Sequence, residues 1–202
     1  MPTTLLEEKP TNITIPEVLV YEELNGKKRY RQGYKEVLNH SKTIEEIMGS
    51  SSLQASIIAI LMRNLITHLK EEEYEILTNE VGLHVSLGNN LSSDILIYSH
   101  HDFVNYKLDL HYFNVAPKLV MEVDIKIDLE KTSDIDYVTE KSQTLFSFGV
   151  ERVVWFFTHN KKTLLAAPAQ DWILRDWSKD IDLIGGHTIN LQELIEKKGL
   201  VL

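Results

Sequence analysis

KLVMEVDIKI, residues 118–127, decides how this chain is read. Successive strand side chains point to opposite sides. Leu119, Met121, Val123, Ile125 and Ile127 therefore share one face, and Val120, Glu122, Asp124 and Lys126 share the other. One face is apolar and the other is nearly all charge. A polar connection over 128–134 leads to a predicted helix over 135–148 that buries Val138, Leu145 and Phe148 and stops at Gly149. RVVWFFT, residues 152–158, is then apolar enough for a central strand. Strand, helix and strand in this order form a right-handed crossover, so the sheet contains a parallel pair. The fold class is α/β, a mixed central sheet flanked by helices. A charged face inside such a sheet has to line a cleft or bind something. An edge strand with one wet face is the competing reading.

Working outward, residues 1–16 hold three of the five prolines and little periodicity, which predicts an extended N-terminal arm over 1–17. Residues 18–202 are read as one domain. Ile57, Ile58, Leu61, Leu65 and Leu69 recur at three- and four-residue spacing and predict a long amphipathic helix over 52–70. Strands are expected at 74–77, 82–87 and 94–98, the last after the turn-prone GNN at 88–90, and another at 163–167. A hairpin about Gly185 and Gly186 and a helix over 191–198, capped by Asn190 with Glu193 and ended by Gly199, complete the chain.

Composition narrows the chemistry. The 202 residues are 43% hydrophobic and 25% charged, an ordinary globular mixture. No run approaches the roughly 20 apolar residues of a membrane span, and MPTTLLEEKP has no signal-peptide build, so a cytoplasmic protein without a membrane partner is expected. With no cysteine, thiol catalysis and cysteine-ligated zinc are excluded, and a metal would rest on carboxylates, histidines or water, which favours Mg²⁺. A net charge of -9 argues against gripping nucleic acid with the whole surface. The dense basic clusters, Lys27, Lys28, Arg29 and Arg31 and then Lys161 with Lys162, are read as solvated loops.

Glu122, Asp124 and Lys126 at alternate strand positions would lie roughly 6 to 7 Å apart. Asp94, in SSDILIY, adds a carboxylate if its strand is adjacent, although a turn residue is the plainer reading. Converging carboxylates are stabilised by a divalent cation that bridges to phosphate oxygens and supplies hydroxide, and a nearby lysine steadies the transition-state charge. These are the parts for phosphodiester hydrolysis. Glu80 is read mainly as a turn or edge residue, His100 and His101 beside Asp102 as solvated, and Trp155, Phe156 and Phe157 as core.

Asp94, then Glu122-Val123-Asp124-Ile125-Lys126, then a helix bearing Lys141 and ending at FGVERVVWF resembles the PD-(D/E)XK nuclease superfamily. More narrowly the chain is similar to the Uma-two group of restriction-endonuclease-like proteins, through YEELNGK at 21–27, GSSSLQ at 49–54, DILIY at 94–98, PKLVMEVD at 117–124 and KSQTLFSFGVERVVWF at 141–156. The resemblance implies a restriction-endonuclease-like fold and a nuclease using Mg²⁺ or Mn²⁺ on DNA. It makes Asp94 and Glu122 metal ligands and gives Glu22 or Glu23 the place of an N-terminal acid. Two arrangements stay open. Glu122 is the second acid and Lys141 the lysine, which is preferred, or Asp124 is the acid and Lys126 its lysine. RQGYKEVLNHSKTIEEIM, 31–48, is longer than the loop expected there, and Gln54 stands where a histidine is common. A homodimer would suit cutting both strands of a duplex. The alternatives are a catalytically inactive nuclease-fold binding or regulatory module and a hydrolase of small phosphate esters.

Overall fold

The structure is a computed structural model that describes residues 14–129 and 133–200. A short 3-10 turn at Glu17–Leu19 leads into β1 (Val20–Leu24) and β2 (Lys27–Tyr30). Two short helices, α1 (Tyr34–Leu38) and α2 (Glu45–Met48), precede the long α3 (Ser52–His68). The hairpin of β3 (Tyr74–Ser86) and β4 (Asn89–Ser99) follows, then α4 (His100–Val104) and β5 (Leu119–Val123). The crossover helix α5 (Asp134–Phe148) returns the chain to β6 (Arg152–Phe157), β7 (Lys162–Ala166) and β8 (Ile173–Asp176). A small hairpin, β9 (Ile181–Asp182) with β10 (Thr188–Ile189), and α6 (Leu191–Glu196) close the fold.

An eight-stranded mixed sheet runs in the order β2-β1-β4-β5-β6-β7-β8, with β3 paired to the other side of β4. The β5–β6 pair is parallel, as the crossover requires. Two apolar layers cover it. On one side α3 and α6 place Ile57, Leu61, Leu65 and Ile195 against Ile95, Ile97, Leu119, Met121 and Val123. On the other, α5 lays Tyr137, Val138 and Leu145 over Leu96, Val120 and Trp155. Burying about 25 cal/mol of stabilisation per Å² of apolar surface, these layers hold the sheet between them.

The strand expected over 118–127 stops at Val123. Asp124 has φ 62, in the left-handed region that ends strand pairing. Alternation therefore holds only as far as Glu122, whose face is not wet but lies under α5. β3 is one strand interrupted by a bulge, with its register shifting between Thr78 and Val81 and with Asn79 and Glu80 at φ 87 and 51. Asn89 and Asn90 belong to β4, so Asp94 is a mid-strand residue rather than a turn residue. The basic cluster at 27–31 is largely a strand, β2, not a loop. His100 and His101 open α4. Most of the expected arm, residues 1–13, lies outside the described residues. Among the described residues no helix is long and apolar enough to cross a membrane.

Candidate functional site

β4 changes partner along its length. It meets β1 at Asn90 and β5 at Ile95, Leu96 and Ile97 on the same edge, and Asp94 falls between the two contacts. Its carboxylate fills the gap: Oδ2 accepts the Val123 amide at 2.8 Å, and Oδ1 accepts the ammonium of Lys126. Lys126 also reaches Glu80 Oε1 at 3.2 Å, and Arg31 lies 3.6 Å from the other Glu80 oxygen. The β3 bulge that turns the backbone at Glu80 thus aims a carboxylate at the site.

A second group lies beneath α5. Tyr137, Val138, Lys141, Ser142 and Leu145 form its buried face, at the spacing of one helix stripe. Lys141 Nζ lies 2.9 Å from Glu22 of β1, 3.0 Å from Glu122 of β5 and 2.7 Å from the Ser92 carbonyl of β4. The ammonium donates to the Ser92 carbonyl and forms ion pairs with both carboxylates. The rings of Tyr21, Tyr137 and Trp155 surround it at 5.9, 5.9 and 5.7 Å. The Tyr137 hydroxyl donates to Glu22 at 2.6 Å. Two buried carboxylates thus share one ammonium, and Glu22, with the phenol as well, is the better held. Burial pushes the Glu122 carboxyl up to about 7 against the pull of Lys141. Burial draws the lysine down, but the charges of Glu122 and Glu22 more than offset it and hold its pKa above the ordinary range. Burial also raises the phenols of Tyr21 and Tyr137 well above theirs.

The site opens on a cleft of about 370 Å³ lined by Arg31, Gly33, Gln54, Glu80, Asp124 and Lys126, with residues 46–51 as its far wall. The long 31–48 segment builds that wall. Gln54, in the first turn of α3, donates to the Val123 carbonyl at 2.7 Å. Asp124 turns toward β6, where its two oxygens accept the Thr158 amide at 2.7 Å and hydroxyl at 2.6 Å. Of the residues singled out from the sequence, Asp94, Lys126 and Glu80 form one group and Glu22, Glu122 and Lys141 the other, and the two meet at the β4–β5 pairing.

Tyr21 and Tyr137 were not singled out as functional groups by sequence reasoning, and Gln54 only as standing where a histidine is common. Gln54 had a local signal, a polar residue at the head of the stripe Ile57, Leu61, Leu65. His100 pairs with Glu75 at 2.9 Å, outside both groups.

Among the described residues no three His, Cys, Asp or Glu side chains are arranged to hold a metal by themselves. The donors nevertheless fit a hard cation in kind. Buried Tyr21 Oη, Ser93 Oγ and Glu122 Oε1 have no hydrogen-bond partner, although the Lys141 ammonium stands close to the last. Uncompensated buried polar atoms are costly and call for water or an ion. Two guanidinium nitrogens, Arg29 Nε and Arg31 Nε, are also without a partner, and the three oxygens are the kind of ligand Mg²⁺ and Mn²⁺ prefer.

A mixed sheet flanked by helices, with carboxylates and lysines gathered where one strand changes partner, defines an α/β fold of the mixed-sheet class. No family model and no curated protein matches this sequence. Among solved structures, the chain is similar to the crystal structure of a protein from Anabaena variabilis ATCC 29413 described as "a putative nuclease belonging to DUF820". The TM-score is 0.59 at 11% identity over 87% of this chain and 89% of that one, a likeness of fold.

Proposed function

We propose that the chain is a Mg²⁺- or Mn²⁺-dependent nuclease that hydrolyses DNA phosphodiester bonds. The observation that carries this reading is that Asp94 and Glu122, both buried, flank the Ile95–Met121 pair of β4 and β5, with Lys141 beside Glu122 and with Lys126, which holds Asp94, lining a cleft. Asp94 Oδ1 and Glu122 Oε1 would hold the cation, which when bound polarises the phosphate and lowers the pKa of a water. Asp124, with both oxygens given to Thr158, has no part in it. Lys141 is only 1% exposed and stands between Glu22 and Glu122, so its task is to orient the two carboxylates. Lys126, 13% exposed and lining the cleft, is the ammonium able to meet a phosphate oxygen.

Supercoiled plasmid incubated with Mn²⁺ or Mg²⁺ tests this. Wild type is expected to nick it, and Glu122→Gln and Asp94→Asn to lose at least ~100-fold in rate, the scale of losing a transition-state contact. Equal turnover by all three proteins would remove the proposal. One observation favours an inactive nuclease-fold binding module instead: Lys126 and the Val123 amide already occupy both oxygens of Asp94. Tight Mn²⁺ binding that Asp94→Asn abolishes together with turnover would exclude that reading.

A further inference from the structure

Asp94 offers a cation a single oxygen. Its Oδ2 is committed to the Val123 amide at 2.8 Å, and its side chain is 1% exposed, so a ligand reaches only Oδ1. That is the oxygen the Lys126 ammonium holds. The backbone that carries Lys126 cannot swing away as a unit, because its carbonyl accepts the Gln32 amide at 2.8 Å, Asp128 donates to the Tyr30 carbonyl at 2.8 Å and Ile127 bridges to Arg31. The side chain can move: it has four rotatable carbons, borders the cleft, and has in Glu80 a second carboxylate already 3.2 Å away.

We propose that Lys126 is a built-in competitor for the cation site, whose ammonium a divalent ion must displace from Asp94 Oδ1, with Glu80 receiving the displaced ammonium at the cleft. Ammonium and divalent cation then exclude one another at one oxygen. The entry of the ion also presents the lysine to whatever the cleft holds. Glu80 sets the balance, since without it the displaced ammonium has no second carboxylate. The inference rests on the reading of Asp94 and Glu122 as cation ligands, but not on any turnover.

Mn²⁺ binding to the full chain, followed by isothermal titration and by the loss of the free-ion paramagnetic resonance signal, tests it without substrate. Removing the competitor with Lys126→Met, or with Lys126→Gln should the first fold poorly, is expected to tighten Mn²⁺ binding at least tenfold. Removing the receiver with Glu80→Gln, at a partly exposed position, is expected to weaken it severalfold. A lysine that merely supports the fold would lower affinity in all three variants, and that result overturns the proposal. So does equal affinity of wild type and both Lys126 variants, or the absence of Mn²⁺ binding throughout. The opposed changes without any DNA cleavage would leave this inference standing while the nuclease reading falls.

Discussion

Glu122 is the residue whose charge state carries the most information. Its carboxyl is raised to about 7 in the folded protein by burial, above the ordinary glutamate value near 4.5. The native state therefore binds this proton more tightly than the unfolded chain does. The sign follows from linkage: between about pH 4.5 and pH 7 the native state holds more protons, so stability from this group falls as pH rises through that window and is flat above it. A shift of this size corresponds to roughly 3 kcal/mol. Glu122→Gln, which carries no titrating group, is expected to lack the loss. In EDTA, the melting temperature of the variant minus that of wild type should be larger at pH 8 than at pH 5. A difference that is the same at both pH values would mean that Glu122 ionises in the native protein as freely as in water, and one that shrinks toward pH 8 that its pKa is lowered rather than raised. The same reasoning accounts for Tyr137, whose hydroxyl gives Glu22 a second donor while Glu122 makes do with the shared lysine.

At the scale of elements, α5 decides the site as much as β5 does. A lysine in the buried stripe Tyr137, Val138, Lys141, Ser142, Leu145 has to be matched by carboxylates on the sheet below. Lys141→Met leaves Glu22 and Glu122 together with no cation and is expected to cost roughly 3 to 5 kcal/mol in urea denaturation. Adding Glu22→Gln should recover part of that loss. No recovery would mean that the lysine acts through packing rather than charge. Much of this was legible beforehand. The periodicity of 152–158 and of the residues after Ser133 gave β6, α5 and their parallel crossover, and the apolar stripe of α3 gave the helix under the other face. The end of β5 was not legible, because VDIKI alternates as well as VMEV does. What stops the strand is Asp124 adopting a left-handed conformation and giving its carboxylate to Thr158, a partner far along the chain. The β1–β2 hairpin was hidden for a like reason: four cations within five residues read as solvated until the carboxylate partners of Lys28, Arg29 and Arg31 are seen. Glu122 was singled out as part of a charged row on one strand face, whereas Asp94 had a turn residue as its plainer reading and gained its place from the resemblance. Glu80 was discounted because a bulge cannot be told from a turn by local sequence.

For the whole molecule, the charge of -9 and the fate of the basic residues agree. Lys28 pairs with Glu17, Arg29 with Glu140 at 2.6 Å, Arg31 with Glu80 and Lys162 with Asp176 at 2.5 Å. These cations are committed within the fold, and the described surface has no continuous basic track built from them. A protein that binds DNA in this way neutralises few phosphates. The slope of log affinity against log salt, read from polarisation of a labelled oligonucleotide between about 50 and 200 mM salt with Ca²⁺ present, is expected to be no steeper than roughly -2. A slope near -6 would mean that these cations leave their carboxylate partners for phosphates.

The partner change along β4 also bears on the order in which the chain can assemble. β3, β4, β5, α5 and β6 are joined by successive connections, whereas β1 reaches β4 from the far side of the long α3 and is registered to it at Glu23 and Asn90 alone. Closing that loop carries the larger entropic cost and is repaid late. Lys141 and Glu122 are therefore expected to pair while the N-terminal hairpin is still unattached and Glu22 to arrive last, so that substitution of Glu22 raises the unfolding rate and leaves the folding rate unchanged. On that path the site would begin as a one-to-one pair and acquire its surplus of negative charge only at the final step.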